Sequence, residues 1–287
     1  MENDIKLFGN RKLPGGKTLI MGILNVNDDS FYAASRTLSI EDAIARAKAM
    51  AEAGADILDI GAESTRPGSA GIAAAEELEA LIPVVETIRY EFSNLPISVD
   101  TRKARVAKEA IAAGADIVND VSGLELSEEA GPMMRLVAET GVLYVLMHTK
   151  GTPETMQASP NYDDFLGELD AFFENKLKEL NEAGVAQDRI VLDPGVGFGK
   201  RLNDNLDILA HIPSLKKYGL PLLIGTSRKG FIGRLTGRAD AEKRLEGTLA
   251  TTAICAYEGA EIVRVHDVAE NAKVAALADA VRGRRSR

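Results

Sequence analysis

A short apolar run meets a carboxylate and then a glycine-rich segment in the stretch Ile190-Val-Leu-Asp-Pro-Gly-Val-Gly-Phe-Gly-Lys200. The three apolar residues, two of them β-branched, predict a buried strand, because the run is too short for a helix. Pro194 has no N–H to donate to a neighbouring strand, so the strand is expected to end at Asp193. The glycines that follow allow a tight turn and a close approach of the backbone to a ligand. Taken alone, Asp193 could simply cap a helix, but the rest of the chain repeats the arrangement.

Apolar runs alternate with amphipathic segments along the whole chain, and eight such pairs follow one another without a domain break. Strands are expected at 18–24, 57–60, 97–100, 117–118, 143–147, 190–192, 222–224 and 262–265. Helices are expected from a Ser39 cap to Gly54 and at 74–91, 102–113, 129–140, 163–183, 203–210, 243–258 and 268–281. This alternation predicts a parallel sheet, and eight units predict a single-domain α/β protein, a closed (β/α)8 TIM barrel. An open doubly wound sheet would need a phosphate-binding fingerprint after the first strand, and the sequence has none there.

A short internal repeat supports this organisation. Ala-Gly-Ala-Asp-Ile occurs at 53–57 and again at 113–117, and Gly-Ala-Glu-Ile occurs at 259–262. Each copy places a glycine suited to ending a helix, a small residue and an acid directly before a predicted strand. The predicted organisation is a lead-in at 1–17, a barrel at 18–282 and a basic tail at 283–287.

Composition limits the classes of function. The chain has 287 residues, 45% of them hydrophobic, and a net charge of −9, which argues against a nucleic-acid-binding surface. Its single cysteine, Cys255, excludes an internal disulfide and lies in an apolar run typical of a core. There is no pattern of a signal peptide and no apolar run of about 18 residues that could cross a membrane. We therefore expect a cytoplasmic protein.

Polar side chains follow the predicted strands where their carboxyl ends meet, which is where barrels of this type place their active sites. The residues are Asn25, Glu63 with Thr65 and Arg66, Asp100, Asn119, His148, Asp193, Ser227 with Lys229, and Arg264 with His266. Capping alone does not explain such residues at every strand end, so a ligand site is predicted at this end of the barrel.

The first group of these residues is Asp100, Asn119 and Asp193. Two buried carboxylates and an amide suit a flat ligand that presents several N–H donors, such as an aminopyrimidinone ring. A metal site built from the three is less favoured, because no His or Cys joins them.

The second group is Asn25, Arg66, Arg264 and His266. Two arginines and a histidine predict a phosphate or pyrophosphate site, and Asn25 offers an oxygen to Mg²⁺. Lys229 could serve either group. Lys150 and Lys200 are interpreted as solvated loop residues, and Met147 as a core residue beside the site.

On these motifs the chain resembles the dihydropteroate synthase family over roughly 18–280. The motifs are Met21-Gly-Ile-Leu-Asn-Val26, Asp59-Ile-Gly-Ala-Glu-Ser-Thr-Arg-Pro-Gly68, Ser98-Val-Asp-Thr101, Asn119-Asp120, Met147-His148 with Gly151-Thr-Pro153, Asp193-Pro-Gly-Val-Gly-Phe-Gly-Lys200, Ser227-Arg-Lys229 and Arg264-Val-His-Asp267. Eight ordered motifs, each at a predicted strand end, make the resemblance specific.

The resemblance implies a transferase of folate synthesis that joins (7,8-dihydropterin-6-yl)methyl diphosphate to 4-aminobenzoate and releases pyrophosphate. It also implies Mg²⁺, a homodimer and an enzyme of the class that sulfonamides target. The implied pterin contacts are Asp100, Asn119, Met147, Asp193 and Lys229. The implied pyrophosphate contacts are Asn25, Thr65, Arg66, Arg264 and His266, with Asn25 also on the metal. The implied aminobenzoate contacts are Phe31, Thr65, Pro67, Phe198 and Ser227. Asp193, Lys229, Arg264 and His266 would carry the chemistry.

The first loop departs from the family pattern. Asn27 and Asp28 stand where the family has Thr-Pro, and Ala33 stands where it has a second acid. This difference keeps open an alternative, a paralogue that binds pterin without joining it to aminobenzoate. A methyltransferase-type pterin barrel is a further alternative, although it has little use for Arg66, Arg264 and His266.

Overall fold

The computed structural model describes residues 4–7, 11–26, 36–64, 69, 71–151, 155–156 and 160–285. Its strands are β1 (Ile5–Lys6), β2 (Lys12–Leu13), β3 (Leu19–Asn25), β4 (Ile57–Gly61), β5 (Ile97–Asp100), β6 (Ile117–Asp120), β7 (Leu143–Met147), β8 (Ile190–Asp193), β9 (Leu223–Ile224) and β10 (Ile262–Val265). Its α-helices are α1 (Arg36–Glu52), α2 (Ala74–Glu91), α3 (Ala104–Ala112), α4 (Ser127–Thr140), α5 (Phe165–Glu182), α6 (Leu202–Ala210), α7 (Ile212–Leu215), α8 (Gly230–Thr236), α9 (Leu245–Glu258) and α10 (Val268–Arg282).

Eight parallel strands form one sheet in the order β8-β7-β6-β5-β4-β3-β10-β9. The two ends of this order meet at a parallel bridge between Leu192 and Leu222, where the Leu192 N–H donates to the Pro221 carbonyl at 2.9 Å. The sheet therefore closes on itself, and the predicted (β/α)8 barrel is confirmed.

The predicted elements agree with the structure, with one error at the first helix. Helix α1 already begins at Arg36, so Ser39 lies inside it, and the prediction that Ser39 caps the helix is wrong. A capping residue must have non-helical backbone angles, which a residue within the helix does not have. Helices α7 and α8 were not predicted, because four and seven residues are too few for a helical period to show in the sequence.

Alternate residues of the barrel strands point inside the barrel and form one buried apolar cluster. This interior cluster is Leu19, Met21, Ile57, Ile117, Leu143, Val145, Val191, Leu223 and Ile262, joined by Ile5, Leu7 and Leu13 of the N-terminal segment. The other face of each strand packs on the helices in a second, larger cluster.

The N-terminal segment closes the bottom of this interior. β1 and β2 pair antiparallel, and Leu7 and Leu13 are 0% and 1% exposed. Arg11 reaches the buried carboxylate of Asp116 at 2.5 Å. The lead-in therefore contributes to the core of the barrel.

The repeated acids also act at the bottom of the barrel. Asp56, Asp116 and Glu261 each accept a backbone N–H at the start of a neighbouring strand. The donors are Ile20, Ile97 and Leu222, at 2.9, 3.0 and 2.8 Å. Each carboxylate thus satisfies an N–H that has no ladder partner at the strand's beginning. The glycine before the first of these acids, Gly54, has a φ of +98°, as expected for a helix-ending glycine.

Among the described residues, no helix is long and apolar enough to cross a bilayer. Cys255 is buried in the core, as predicted.

Candidate active site

The polar site residues continue the inward-facing positions of the strands toward their carboxyl ends. In each of four strands, a polar residue follows an apolar interior residue by two positions, so both point into the barrel. The pairs are Ile57 and Asp59, Ile117 and Asn119, Val191 and Asp193, and Ile262 and Arg264. The apolar cluster is therefore the floor of a polar chamber.

An ion-pair network lies directly on this floor. Arg264 donates from Nε to Oδ2 of Asp59 at 2.5 Å and from a terminal nitrogen to Oδ2 of Asp100 at 2.7 Å. Asp59 is 0% exposed and also accepts from Nδ2 of Asn119 at 3.3 and 3.4 Å. Arg264 and Asp100, which the sequence placed in different groups, are therefore in direct contact.

Two acceptor atoms of this network are buried without a hydrogen-bond partner in the part of the chain that the structure describes. Asp100 and Asn119 are paired across β5 and β6, so their side chains stand next to each other. Oδ1 of Asp100 and Oδ1 of Asn119 are buried and have no hydrogen-bond partner among the described residues. A buried acceptor without a partner is costly, so this pair is suited to a ligand that brings two neighbouring N–H donors.

Burial changes the proton affinity of Asp100. Loss of solvent, opposed by Arg264 and reinforced by Asp59, raises the pKa of Asp100 to about 7. Burial would lower the pKa of Arg264, but Asp59 and Asp100 raise it above its usual value. The arginine is therefore charged, while Asp100 changes its protonation state near neutral pH.

Asp193 and Lys229 form the opposite wall. Asp193 is 6% exposed, and its Oδ1 accepts a hydrogen bond from the N–H of Gly195 at 2.7 Å. Burial, opposed by Lys229, raises the pKa of Asp193, and burial lowers the pKa of Lys229 to about 8. The Lys229 ammonium donates to the Val196 carbonyl and lies 4.5 Å from the centre of the Phe198 ring. Lys229 thus stands between the first group of residues and the glycine-rich loop after β8.

His266 and Ser227 meet at the rim of the chamber. Nδ1 of His266 is 2.9 Å from Oγ of Ser227, which also accepts the His266 N–H at 3.2 Å. An ion pair between the next residues in the chain reinforces this contact, because Nε of Arg228 donates to Oδ2 of Asp267 at 3.0 Å. Asn25, at the end of β3, is half-buried, and its carbonyl accepts from Arg46 at 3.2 Å.

Comparison with known proteins identifies the kind of site. The model of a family described as pterin binding enzyme matches residues 21–266. The dihydropteroate synthase of Escherichia coli K12 is 44% identical over 261 residues, which cover 91% of this chain and 90% of that protein. This chain belongs to the dihydropteroate synthase family.

Solved structures of the family share the barrel. The crystal structure of the Yersinia pestis dihydropteroate synthase with a sulfonamide drug aligns with a TM-score of 0.90 and 38% identity, over 98% of this chain and 100% of that one. The Xanthomonas albilineans dihydropteroate synthase with 4-aminobenzoic acid aligns with a TM-score of 0.88 and 40% identity, over 98% of both chains.

Part of the site predicted by the family resemblance lies outside the described residues. This part is Phe31, Thr65, Arg66 and Pro67, together with the divergent first-loop positions Asn27, Asp28 and Ala33. The other predicted residues, Asn25, Asp100, Asn119, Met147, Asp193, Phe198, Ser227, Lys229, Arg264 and His266, all lie at or beside the carboxyl ends of the strands. Their roles on substrate stay predictions.

Two residues of this family site were missed or misread in the sequence. Asp59 was not predicted as a site residue, although an acid inside the apolar run 57–60 signals a paired interior charge. Lys200 was interpreted as solvated, and that interpretation is wrong, because it is 2% exposed and its Nζ lies 2.8 Å from Nδ1 of His148. No local signal reveals this contact, since the two residues are 52 positions apart. Lys150, by contrast, is half-exposed and pairs with Glu168 at 3.2 Å.

Proposed function

We propose that the chain condenses (7,8-dihydropterin-6-yl)methyl diphosphate with 4-aminobenzoate to give 7,8-dihydropteroate and pyrophosphate. The observation that carries this proposal is the pair of buried, unpartnered acceptors on Asp100 and Asn119 inside a family barrel. A dihydropterin ring has N–H groups along one edge, and these satisfy such acceptors.

The pterin ring lies between two walls of the chamber in this proposal. Asp100 and Asn119 accept N–H groups on one side, and Asp193 accepts from the guanidine-like edge on another. Lys229 donates to a ring oxygen or nitrogen. Met147, which is 1% exposed and paired with Asp193 across β7 and β8, supplies an apolar contact beside the ring.

In this proposal the diphosphate binds at the rim, near His266 and Asn25. Thr65 and Arg66, which follow β4 in the sequence, are predicted to contact it as well. The sequence also predicts that Arg264 contacts the diphosphate. Its bonds to Asp59 and Asp100 support a second role for the same guanidinium, which is to balance the charge beneath the pterin.

Asn25 is the residue that would contact Mg²⁺. Among the described residues, no group of three or more His, Cys, Asp or Glu is arranged to hold a metal ion. A single half-buried amide oxygen fits a cation that keeps most of its waters and takes phosphate oxygens from the substrate. Bound in this way, Mg²⁺ would neutralise charge on the diphosphate.

The reaction forms one bond and breaks another at the pterin methylene carbon. The neutral amine of aminobenzoate attacks that carbon, the carbon–oxygen bond to the diphosphate breaks with its electron pair going to pyrophosphate, and the amine then loses a proton to solvent. Negative charge grows on the departing oxygen, and in this proposal His266 stabilises it together with Arg66, whose contact is implied by the family resemblance. Positive character grows on the methylene carbon, and the carboxylate of Asp193 stabilises it through the ring. No covalent intermediate with an enzyme nucleophile is required.

Aminobenzoate binds beside the glycine-rich loop in this proposal. Phe198 offers a ring face that already lies near the Lys229 ammonium, and Ser227 is held by His266. The family resemblance implies that Phe31, Thr65 and Pro67, which lie outside the described residues, also contact aminobenzoate. A homologue solved with 4-aminobenzoic acid supports this assignment of the second substrate.

We also propose a cytoplasmic homodimer. Ile254 of α9 and Leu277 and Val281 of α10 are 44%, 68% and 50% exposed, on two helices that pack against each other. Apolar groups on adjacent helices are suited to a contact between two copies. Light scattering should give about twice the 30.7 kDa mass of the chain.

Pyrophosphate release from the dihydropterin diphosphate and Mg²⁺, measured with and without 4-aminobenzoate, tests the activity. We expect release that depends on aminobenzoate and equals the dihydropteroate formed. Pterin binding without release, with or without aminobenzoate, would instead support a non-catalytic paralogue and overturn the proposal.

A further inference from the structure

Asp59 lies beneath the proposed pterin site and satisfies two neighbours at once. Its side chain is 0% exposed, and Oδ2 accepts from Nε of Arg264 at 2.5 Å. Oδ1 and Oδ2 also face Nδ2 of Asn119 at 3.4 and 3.3 Å. Asp100 and Asn119 each keep a buried oxygen without a partner among the described residues, and Asp59 does not.

We infer that Asp59 is a positioning residue that sets the hydrogen-bonding pattern of the pterin pocket; this inference rests on the proposed function. An ionised carboxylate offers only acceptors, so the amide of Asn119 must turn its NH₂ group toward Asp59. The carbonyl oxygen of Asn119 is then left for the ligand. Asp59 thereby decides which end of this amide the substrate meets.

The same carboxylate acts on Asp100 through Arg264. With Nε held by Asp59, the guanidinium reaches Oδ2 of Asp100 with a terminal nitrogen at 2.7 Å. Oδ1 of Asp100 is left buried without a partner among the described residues. One buried side chain therefore leaves two neighbouring acceptors, on β5 and β6, directed at the ligand.

Two neighbouring acceptors select for ring systems with N–H donors along the matching edge. A ring that places a carbonyl or a bare nitrogen there would leave buried acceptors facing each other, and such mismatches are strongly rejected. Asp59 is therefore a determinant of specificity for the reduced pterin, although it does not touch the ring.

The substitution Asp59→Asn tests this inference, because it keeps the shape and removes one acceptor. In this variant the charged Nε–H of Arg264 still donates to the one oxygen that position 59 retains. The new NH₂ group at position 59 therefore faces Asn119. Asn119 must then turn and present its own NH₂ to the ligand. We expect the Kd for 6-hydroxymethyl-7,8-dihydropterin, measured by calorimetry, to rise at least about tenfold, as for a buried hydrogen bond lost with its donor unsatisfied.

A second substitution should restore binding. In the double variant Asp59→Asn, Asn119→Asp, the NH₂ at position 59 donates to the carboxylate at position 119, whose other oxygen accepts from the ligand. We expect its Kd to return to within about threefold of wild type, since the number of satisfied donors and acceptors is restored. Asn119→Asp alone places two carboxylates in contact and should bind more weakly than the double variant.

Asp120→Asn is the matched control. Asp120 is also buried, adjoins Asn119 in the chain and bonds to Ser122 and to the Tyr144 hydroxyl at 2.6 and 2.7 Å. Its bonds do not include Asn119 or Arg264, so the pterin Kd should change less than about threefold. Circular dichroism and thermal unfolding establish that each variant folds.

Each outcome decides one claim. Wild-type protein that does not bind the dihydropterin overturns the proposed function itself. Wild-type binding with an unchanged Kd in Asp59→Asn, or a double variant that binds no better than Asn119→Asp alone, overturns only the role of Asp59. If Asp59→Asn does not fold, the comparison of the double variant with Asn119→Asp still decides the question.

Discussion

Nζ of Lys200 lies 2.8 Å from Nδ1 of His148, and this contact fixes the loop after β8 to the end of β7. The same nitrogen donates to the carbonyls of His148 and Phe198 at 3.2 and 3.0 Å. Burial, with Lys200 adding to it, lowers the pKa of His148 to about 2, so the imidazole is neutral. The contacts of Lys200 therefore fix the position of the loop that carries Phe198.

Lys200→Met should weaken this loop while leaving the pterin wall in place. Methionine matches the length of lysine but leaves His148 Nδ1 and the carbonyls of His148 and Phe198 without their polar partner. Asp193 is held separately by its strand pairing with Met147, so the dihydropterin Kd should change only a few-fold. We expect kcat/KM for aminobenzoate to fall by about tenfold or more, from steady-state pyrophosphate release.

Lys150→Met is the control for that experiment. Lys150 follows the same strand but is half-exposed, and its Nζ donates to Glu168 at 3.2 Å and to the Asn161 carbonyl at 2.6 Å. A surface ion pair contributes about 0–1 kcal/mol, so aminobenzoate kinetics should change little. Equal losses in the two variants would show that burial of Lys200 is not what positions the loop.

Gly199 is expected to tolerate no side chain, because two separate constraints act on it. Its φ is +61°, and a Cβ there would lie 2.2 Å from the Lys150 carbonyl oxygen. Gly199→Ala should therefore lower the free energy of unfolding and raise the KM for aminobenzoate by displacing Phe198.

Gly184→Ala separates the two constraints. Gly184 has a φ of +90° and no atom within 4 Å of its added Cβ, so only the backbone penalty of about 1–2 kcal/mol applies. Urea unfolding of both variants should show the larger loss for Gly199→Ala. A similar loss in both would mean that the loop moves away from Lys150 at little cost.

The barrel was predictable because strand and helix periods are local. Each strand needs only a few apolar residues and a stop signal, and the repeated acid before Ile57 and Ile117 marks where strands begin. The hairpin of β1 and β2 was not predictable in this way, since strands of two residues have no period. Its role comes from Leu7 and Leu13, which are buried against interior residues contributed by distant strands of the barrel.

The site residues were predictable as a set, but their contacts were not. A polar residue at the end of an apolar strand is a local signal, and it found Asp100, Asn119 and Arg264. The grouping of Arg264 with the phosphate residues relied on charge type alone. Its contact with Asp100 joins positions 164 residues apart and depends on how the strands close across the barrel.

Arg264→Met should destabilise the protein in a way that depends on pH. It leaves Asp59 and Asp100 buried without their cation, and breaking a buried pair costs about 3–5 kcal/mol. The pKa of Asp100 already lies above the 3.8 of an ordinary aspartate because of burial, and loss of Arg264 raises it further. Protonation of Asp100 as the pH falls through neutrality favours the folded state. Urea unfolding should therefore show a smaller loss at pH 6 than at pH 8.

Arg228→Met provides the comparison for Arg264. Arg228 also pairs with an aspartate, Asp267, but its side chain is 30% exposed. We expect a loss of about 1 kcal/mol, since a pair open to solvent is weaker. An Arg264 variant with no greater loss than this would contradict the idea that Arg264 neutralises buried charge.

The pH dependence of kcat/KM for the dihydropterin diphosphate should be bell-shaped, with its maximum between about pH 7 and pH 8. The acid limb reports the protonation of Asp100. Its pKa is about 7, because burial raises it, Arg264 lowers it, and the carboxylates of Asp59, Glu77 and Glu63 raise it further. Below that pH its carboxyl is protonated and Oδ1 accepts poorly. The basic limb reports the deprotonation of Lys229. Its pKa is about 8, because burial and Arg264 lower it, while Asp193 and Asp100 raise it. Above that pH the lysine loses its charge, so pterin contact is weakened.

Lys229→Arg should remove the basic limb and keep the acid limb, because a guanidinium stays protonated throughout this range. Binding of 6-hydroxymethyl-7,8-dihydropterin serves as the control, since it has no phosphate that titrates near neutrality. Its affinity should fall along the same two limbs as kcat/KM. A profile that is flat from pH 6 to pH 9 for this ligand would show that neither Asp100 nor Lys229 needs its charge to bind the ring. The limbs seen with the diphosphate would then belong to the substrate.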